Sequence, residues 1–170
     1  MLSRHYLRIK TLQAAYSFFI GGETDLGKGR QDLFDSIEGI SELMLYQISA
    51  LLELRDFAEN KLEENKKKLV PSENDLNPIR KFVDNPVIAI IRNNEQLQNR
   101  MQGLRINWSE YQDHFRKIYF AIIEWKDYKE YVDSPAVSFE DHKAFVAKLF
   151  KNHIAFYGNL RAHYEELNIH

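Results

Sequence analysis

Arg4, His5 and Arg8 are the first residues of this chain whose types and spacing could do chemistry. If residues 2–20 are helical, at about 100° per residue, the three fall within roughly a third of a turn of one another, with Lys10 off to the side. The first acidic residue is Glu23, so no nearby carboxylate cancels the charge. A guanidinium binds phosphate bidentately and stacks on unpaired bases, and His or Tyr beside it can stack as well. The chemistry on offer is the docking of a polyanion such as single-stranded RNA, not the making or breaking of a bond. The competing reading is that Arg4 and Arg8 only solvate a surface helix.

Other chemistries find less in the sequence. There is no Cys, so no disulfide, thiolate nucleophile or Cys-based zinc site can form. The six His (5, 114, 142, 153, 163 and 170) include no HExxH, and none has another His three to five residues away. Gly27-Lys28-Gly29 lacks the GxxxxGK[ST] spacing and the preceding strand of a phosphate loop. Lys66-Lys67-Lys68 reads as a solvated helix end suited to the C-terminal dipole, diluted by Glu63 and Glu64 in i,i+4 register. Glu140-Asp141 and Glu165-Glu166 sit where capping and solubility explain them. The expectation is a protein that is not an enzyme and that carries no metal or cofactor.

The elements that must position the basic cluster are helices. Tyr6, Ile9, Leu12, Tyr16 and Phe19, with Leu2 before them, recur at steps of three and four and predict a buried stripe, with the cations on another face. Gly21-Gly22 ends that helix. A second helix is expected over residues 30–68, with Leu33, Ile37, Ile40, Met44, Ile48 and Leu51 on its apolar side. Residues 71–85 read as a loop with one helical turn over 78–82, and Asn85-Pro86 as N-cap and N1 of a helix running to about residue 105. Tyr111, Phe115, Ile118, Tyr119 and Ile122 mark a strongly apolar helix. Ser138 caps another that carries Phe145, Leu149, Ile154 and Tyr157, and Gly158 precedes a last one. No stretch alternates with period two, so no sheet is expected.

At 170 residues, 44% hydrophobic and 28% charged, the composition is that of a globular domain with a real core. The net charge of −2 means that any affinity for nucleic acid must be local. No stretch approaches the ~20 apolar residues of a membrane span, and Arg8 and Lys10 interrupt any signal-peptide core. A cytoplasmic setting with no membrane partner is expected.

Arg4-His5 and Arg8, followed by Leu12-Gln13-Ala14-Ala15-Tyr16, resemble the opening of the NusB family of bacterial transcription antitermination factors. Its members begin with an arginine cluster and then a Leu/Val-Gln-Ala-Leu-Tyr segment. The likeness is clearest over residues 3–19 and continues more loosely over 33–58, through Ser36-Ile37-Glu38, Glu42-Leu43 and Leu51-Leu52-x-Leu54. Residues 71–170 look like the additional helical segment of a longer branch of the family, so residues 1–70 are NusB-like within a single all-α region. The resemblance implies a bundle of about five to seven helices and binding to boxA RNA of ribosomal leaders. It also implies partnership with the ribosomal protein NusE and the RNA polymerase elongation complex. By position, Arg4, His5 and Arg8 fall on the arginine cluster and Gln13 and Tyr16 on the Gln-Ala-x-Tyr segment, with Lys10 flanking. His5 and Tyr6 stand where arginines are usual. The sequence stops at Asn168-Ile169-His170 without the family's C-terminal helical half, so the expectation is a truncated form. Its uncovered apolar positions would then be exposed or buried by self-association. The alternative from another class is a helical interaction module that forms a homodimer through its aromatic stripes without binding RNA.

Overall fold

Local capping chemistry sets where the helices begin. In the computed structural model, which describes residues 3–135 and 137–167, the Ser3 hydroxyl accepts a bond from the Tyr6 amide and opens α1, Arg4–Ile20. Asp25 accepts from the amides of Gly27 and Lys28 at the start of α2, Leu26–Lys66. Ser72 and Asp75 form a reciprocal capping box on α3, Glu73–Leu76, and Ser138 and Asp141 form another on α8, Phe139–Leu149. Asn85 caps α4, Pro86–Arg92, with Pro86 at its first position, as the sequence predicts. Asn94 caps α5, Glu95–Gly103. A 3-10 turn, Ser109–Tyr111, leads into α6, Gln112–Glu124, which is followed by α7, Lys126–Asp133. A π-helical stretch, Phe150–Ala155, continues α8, and α9 is Gly158–Leu167. The described residues contain no strand, so the fold is all-α.

Two compact units divide the chain. One comprises Met1–Met44 with Tyr164–His170, of which residues 3–44 and 164–167 are described; the other is Leu45–His163. The division falls inside α2.

In the larger unit, Leu45, Leu51, Leu54, Ile88, Phe115, Ile118, Ile122, Leu149 and Ile154 are fully buried. Each such side chain contributes about 1.5–3 kcal/mol relative to an exposed one. Aromatic rings knit this core: Tyr131 stacks on Phe145 with centroids 3.9 Å apart, and Trp108 meets Phe115 edge-on at 5.5 Å. Phe82 and Val83, in the segment expected to be a loop, are also buried. An ion network holds that segment on α2. Arg55 donates to the Val83 carbonyl at 3.1 Å and pairs with Glu59, and Arg80 bridges Glu59 and Asp84. Arg92 of α4 pairs with Asp56.

The helix expected over 86–105 is two helices. Asn94 turns its side chain onto the Leu97 amide, which starts a new helix at Glu95, so the amide-rich stretch over residues 92–96, all of it exposed, contains a break. Lys61, Lys66 and Lys68 pair with Glu64, Glu63 and Asp75, which agrees with a solvated helix end, though at spacings other than those expected.

In the smaller unit, α1 contains no buried residue. Its stripe is open: Leu12 is 72% exposed, Tyr16 68% and Phe19 77%. This corrects the expectation of a buried stripe for the described members; Leu2 lies outside the described residues, as does His170. The half-buried side of α1 is instead Lys10, Ala14, Ala15 and Phe18. Phe18 rests on Gly29 of α2, where the missing side chain lets the helices approach. Gly22, at φ +66°, makes the turn between them in the left-handed region that glycine tolerates.

Candidate nucleic-acid interface

The first two turns of α1 present Arg4, His5 and Arg8, all exposed. No acidic residue occupies the first turn, and among the described residues none of the three forms an ion pair. Arg4 and Arg8 are four residues apart and so share one side of the helix. His5 sets its ring edge-on to Tyr6, with centroids 6.1 Å apart. Unbonded amides at a helix N-terminus carry partial positive charge, so cations there gain nothing from the helix dipole and cost some stability. The same superposition makes the end of α1 a local positive field that attracts anions.

The other three candidates lie elsewhere on the helix. Lys10 is half-buried, and with Gln13 it lines an open cleft of about 620 Å³ between α1 and the start of α2. That cleft also holds Glu23, Lys28, Asp32 and Asp35. Lys28 Nζ lies 2.7 Å from Glu23 Oε2, and this bond, with the amides of Thr24 and Asp25, holds the Glu23 carboxyl down at about 2. The carboxylates of Asp32 and Asp35 therefore outweigh Lys10, and the cleft is unsuited to phosphate. The Gly27-Lys28-Gly29 stretch is committed in the same way: Lys28 to Glu23, and the amides of Gly27 and Lys28 to Asp25.

Tyr16 belongs to the exposed apolar stripe. At about 100° per residue, Leu12, Tyr16 and Phe19 fall in nearly the same arc as Arg8 and His5. The cations and the stripe are therefore successive parts of one outward side, basic over its first two turns and apolar over the rest, and not two faces as the spacing suggested.

Sequence reasoning missed two polar clusters in the larger unit. Asn85 is fully buried and donates from Nδ2 to the Tyr131 hydroxyl at 3.0 Å, and that hydroxyl lies 2.6 Å from His142 Nδ1 and donates to the Lys81 carbonyl. Tyr111 hydroxyl and His163 Nδ1 are 2.7 Å apart beside Trp108, whose indole donates to Ser49 Oγ. Asn85 and Tyr131 are 46 residues apart and Tyr111 and His163 are 52, so no local motif marks either cluster. These bonds join segments far apart in the chain, which suits fixing helix positions. The described residues include no group of three or more His, Cys, Asp or Glu able to hold a metal ion. Among them, no helix is long and apolar enough to cross a membrane.

No family model, no curated protein and no solved structure matches this chain.

Proposed function

We propose that the chain is a non-enzymatic, cytoplasmic transcription antitermination factor of NusB type that grips single-stranded, boxA-like RNA through the start of α1, alongside NusE and the elongating polymerase. The observation that carries the RNA-binding part is the set Arg4, His5 and Arg8: exposed, without ion pairs among the described residues, and carried at a helix N-terminus with no acid in its first turn. Stability gives no reason to collect cations there, because the helix dipole opposes them. Arg4 and Arg8 hold phosphates, and His5 supplies a ring against which an unpaired base can stack. The NusE and polymerase partnerships rest on the likeness of Leu12-Gln13-Ala14-Ala15-Tyr16 and the cations before it to the opening of the NusB family.

The test is a titration of boxA-like RNA at low salt into the wild type and into Arg4→Ala/Arg8→Ala. Binding by the wild type that is weaker in the double variant supports the reading. Equal binding by both, or none by either, removes the RNA role of this surface.

A further inference from the structure

Arg105 is the one non-glycine residue with a positive φ, 51°, among the described residues. It follows α5 and its C-cap Leu104, and its amide bonds to the Gln102 carbonyl. Glycine is the usual residue at that place on a helix end, because an L side chain is strained there. A strain that glycine would relieve points to a use for the side chain. Arg105 lines an open cleft of about 280 Å³ that lies wholly within the larger unit, between α2 and α5.

The polar groups of this cleft divide into spent and free. Arg92 pairs with Asp56, which also takes Arg55, and Gln98 sends its amide to the Arg92 carbonyl. Ser49 accepts from the Trp108 indole. Arg105 and Glu53 remain. Among the described residues neither forms an ion pair, with the other or with any third group, and Glu53 accepts only the Gln112 amide, at 2.6 Å. A free cation and a free anion therefore line one cleft together with the apolar Leu52, Met101 and Ile106. Trp108 is 5% exposed and set edge-on to Tyr46, Tyr111 and Phe115, so it offers no open ring face to a nucleobase.

We propose that this cleft binds a free α-amino acid with an aliphatic side chain. The ligand's carboxylate takes the Arg105 guanidinium, which suits bidentate bonding. Its ammonium takes Glu53, and its side chain covers Leu52, Met101 and Ile106. The fixed charges balance, Glu53 and Asp56 against Arg92 and Arg105, so the cleft favours a ligand that is neutral overall but separated in charge; a phosphate would meet Glu53. The volume is just below the ~300–1,000 Å³ of pockets for larger ligands, which suits a small metabolite. The site is independent of α1 and of RNA binding.

The experiment titrates L-leucine at millimolar concentration into the full chain and follows backbone amide chemical shifts. Saturable shifts are expected over residues 98–106. N-acetyl-L-leucine, which lacks the ammonium, and L-leucinamide, which lacks the carboxylate, should each bind about tenfold more weakly or worse. Arg105→Gly should weaken leucine binding by about the same factor while raising the melting temperature by about 2–4 °C as the strain is relieved, so lost binding is not lost fold. Glu53→Gln, which keeps an oxygen for Gln112, should also weaken it. No shift over residues 98–106, equal binding of either leucine derivative, undiminished binding by either variant, or a melting temperature lowered by Arg105→Gly would each overturn the proposal.

Discussion

A methyl group added at Gly29 would stand 2.6 Å from Cδ2 of Phe18. The two residues put α1 against α2 on the half-buried side of α1. Replacing a helical glycine by alanine ordinarily gains about 1 kcal/mol, but here the ring must move, and overpacking costs about 1–3 kcal/mol. Gly29→Ala should therefore loosen α1, measured as faster amide hydrogen exchange over residues 8–20. Gly103→Ala, which would meet nothing within 4 Å, should leave that exchange unchanged and raise the melting temperature slightly.

Asn85 does two jobs in a site with no access to solvent. Its Oδ1 accepts from the amides of Val87 and Ile88, and its Nδ2 donates to Tyr131. Asn85→Ala removes the cap, worth about 0.5–2 kcal/mol, and strips Tyr131 of a buried partner, worth about 1 kcal/mol more. The expected loss is about 2–3 kcal/mol in urea unfolding. Asn85→Asp keeps the capping oxygen and should lose less.

His153 is half-buried beside Trp125, 4.8 Å between ring centroids, and its Nε2 is buried with no hydrogen-bond partner among the described residues. Burial pushes its pKa below the usual 6.5. The unfolded chain therefore takes up a proton at this position that the folded chain resists. Stability should be whole above about pH 6.5 and should fall as the pH drops through that value, flattening once the folded form is protonated too. In His153→Phe the fall between pH 8 and pH 5.5 should be smaller than in the wild type, as read from urea midpoints.

Arg4 and Arg8 are charges without partners among the described residues, whereas Lys28 is spent on Glu23. If the first two hold phosphates of single-stranded RNA, each accounts for about 0.7 in the slope of log K against log salt. Arg4→Ala/Arg8→Ala should flatten that slope by about 1.4, while Lys28→Ala should leave it unchanged. A parallel slope for the double variant would separate these arginines from the RNA.

Periodicity marked the core well where a helix is apolar on one side and charged on the other. Phe115, Ile118 and Ile122 of α6, and Phe145 and Leu149 of α8, are buried where their spacing placed them. It failed where a short-range competitor outweighed the pattern, as at Asn94, whose side chain captures the Leu97 amide and ends one helix to begin another. It also failed for Phe82 and Val83, whose prolines and polar neighbours read as loop. The partners that hold them down, Arg55 and Glu59 among them, lie more than twenty residues earlier.

The sequence by itself determined the all-α class, the caps at Asn85-Pro86 and Ser138, and the collection of cations ahead of any acid on α1. These follow from interactions within one or two helical turns, which spacing reports directly. Only the tertiary structure decided that Leu12, Tyr16 and Phe19 face outward, that Lys10 sits among carboxylates while Arg4 and Arg8 do not, and that Asn85, Tyr131 and His142 meet. A stripe in a sequence says that something apolar must cover it, and which surface does so is settled by packing between distant segments.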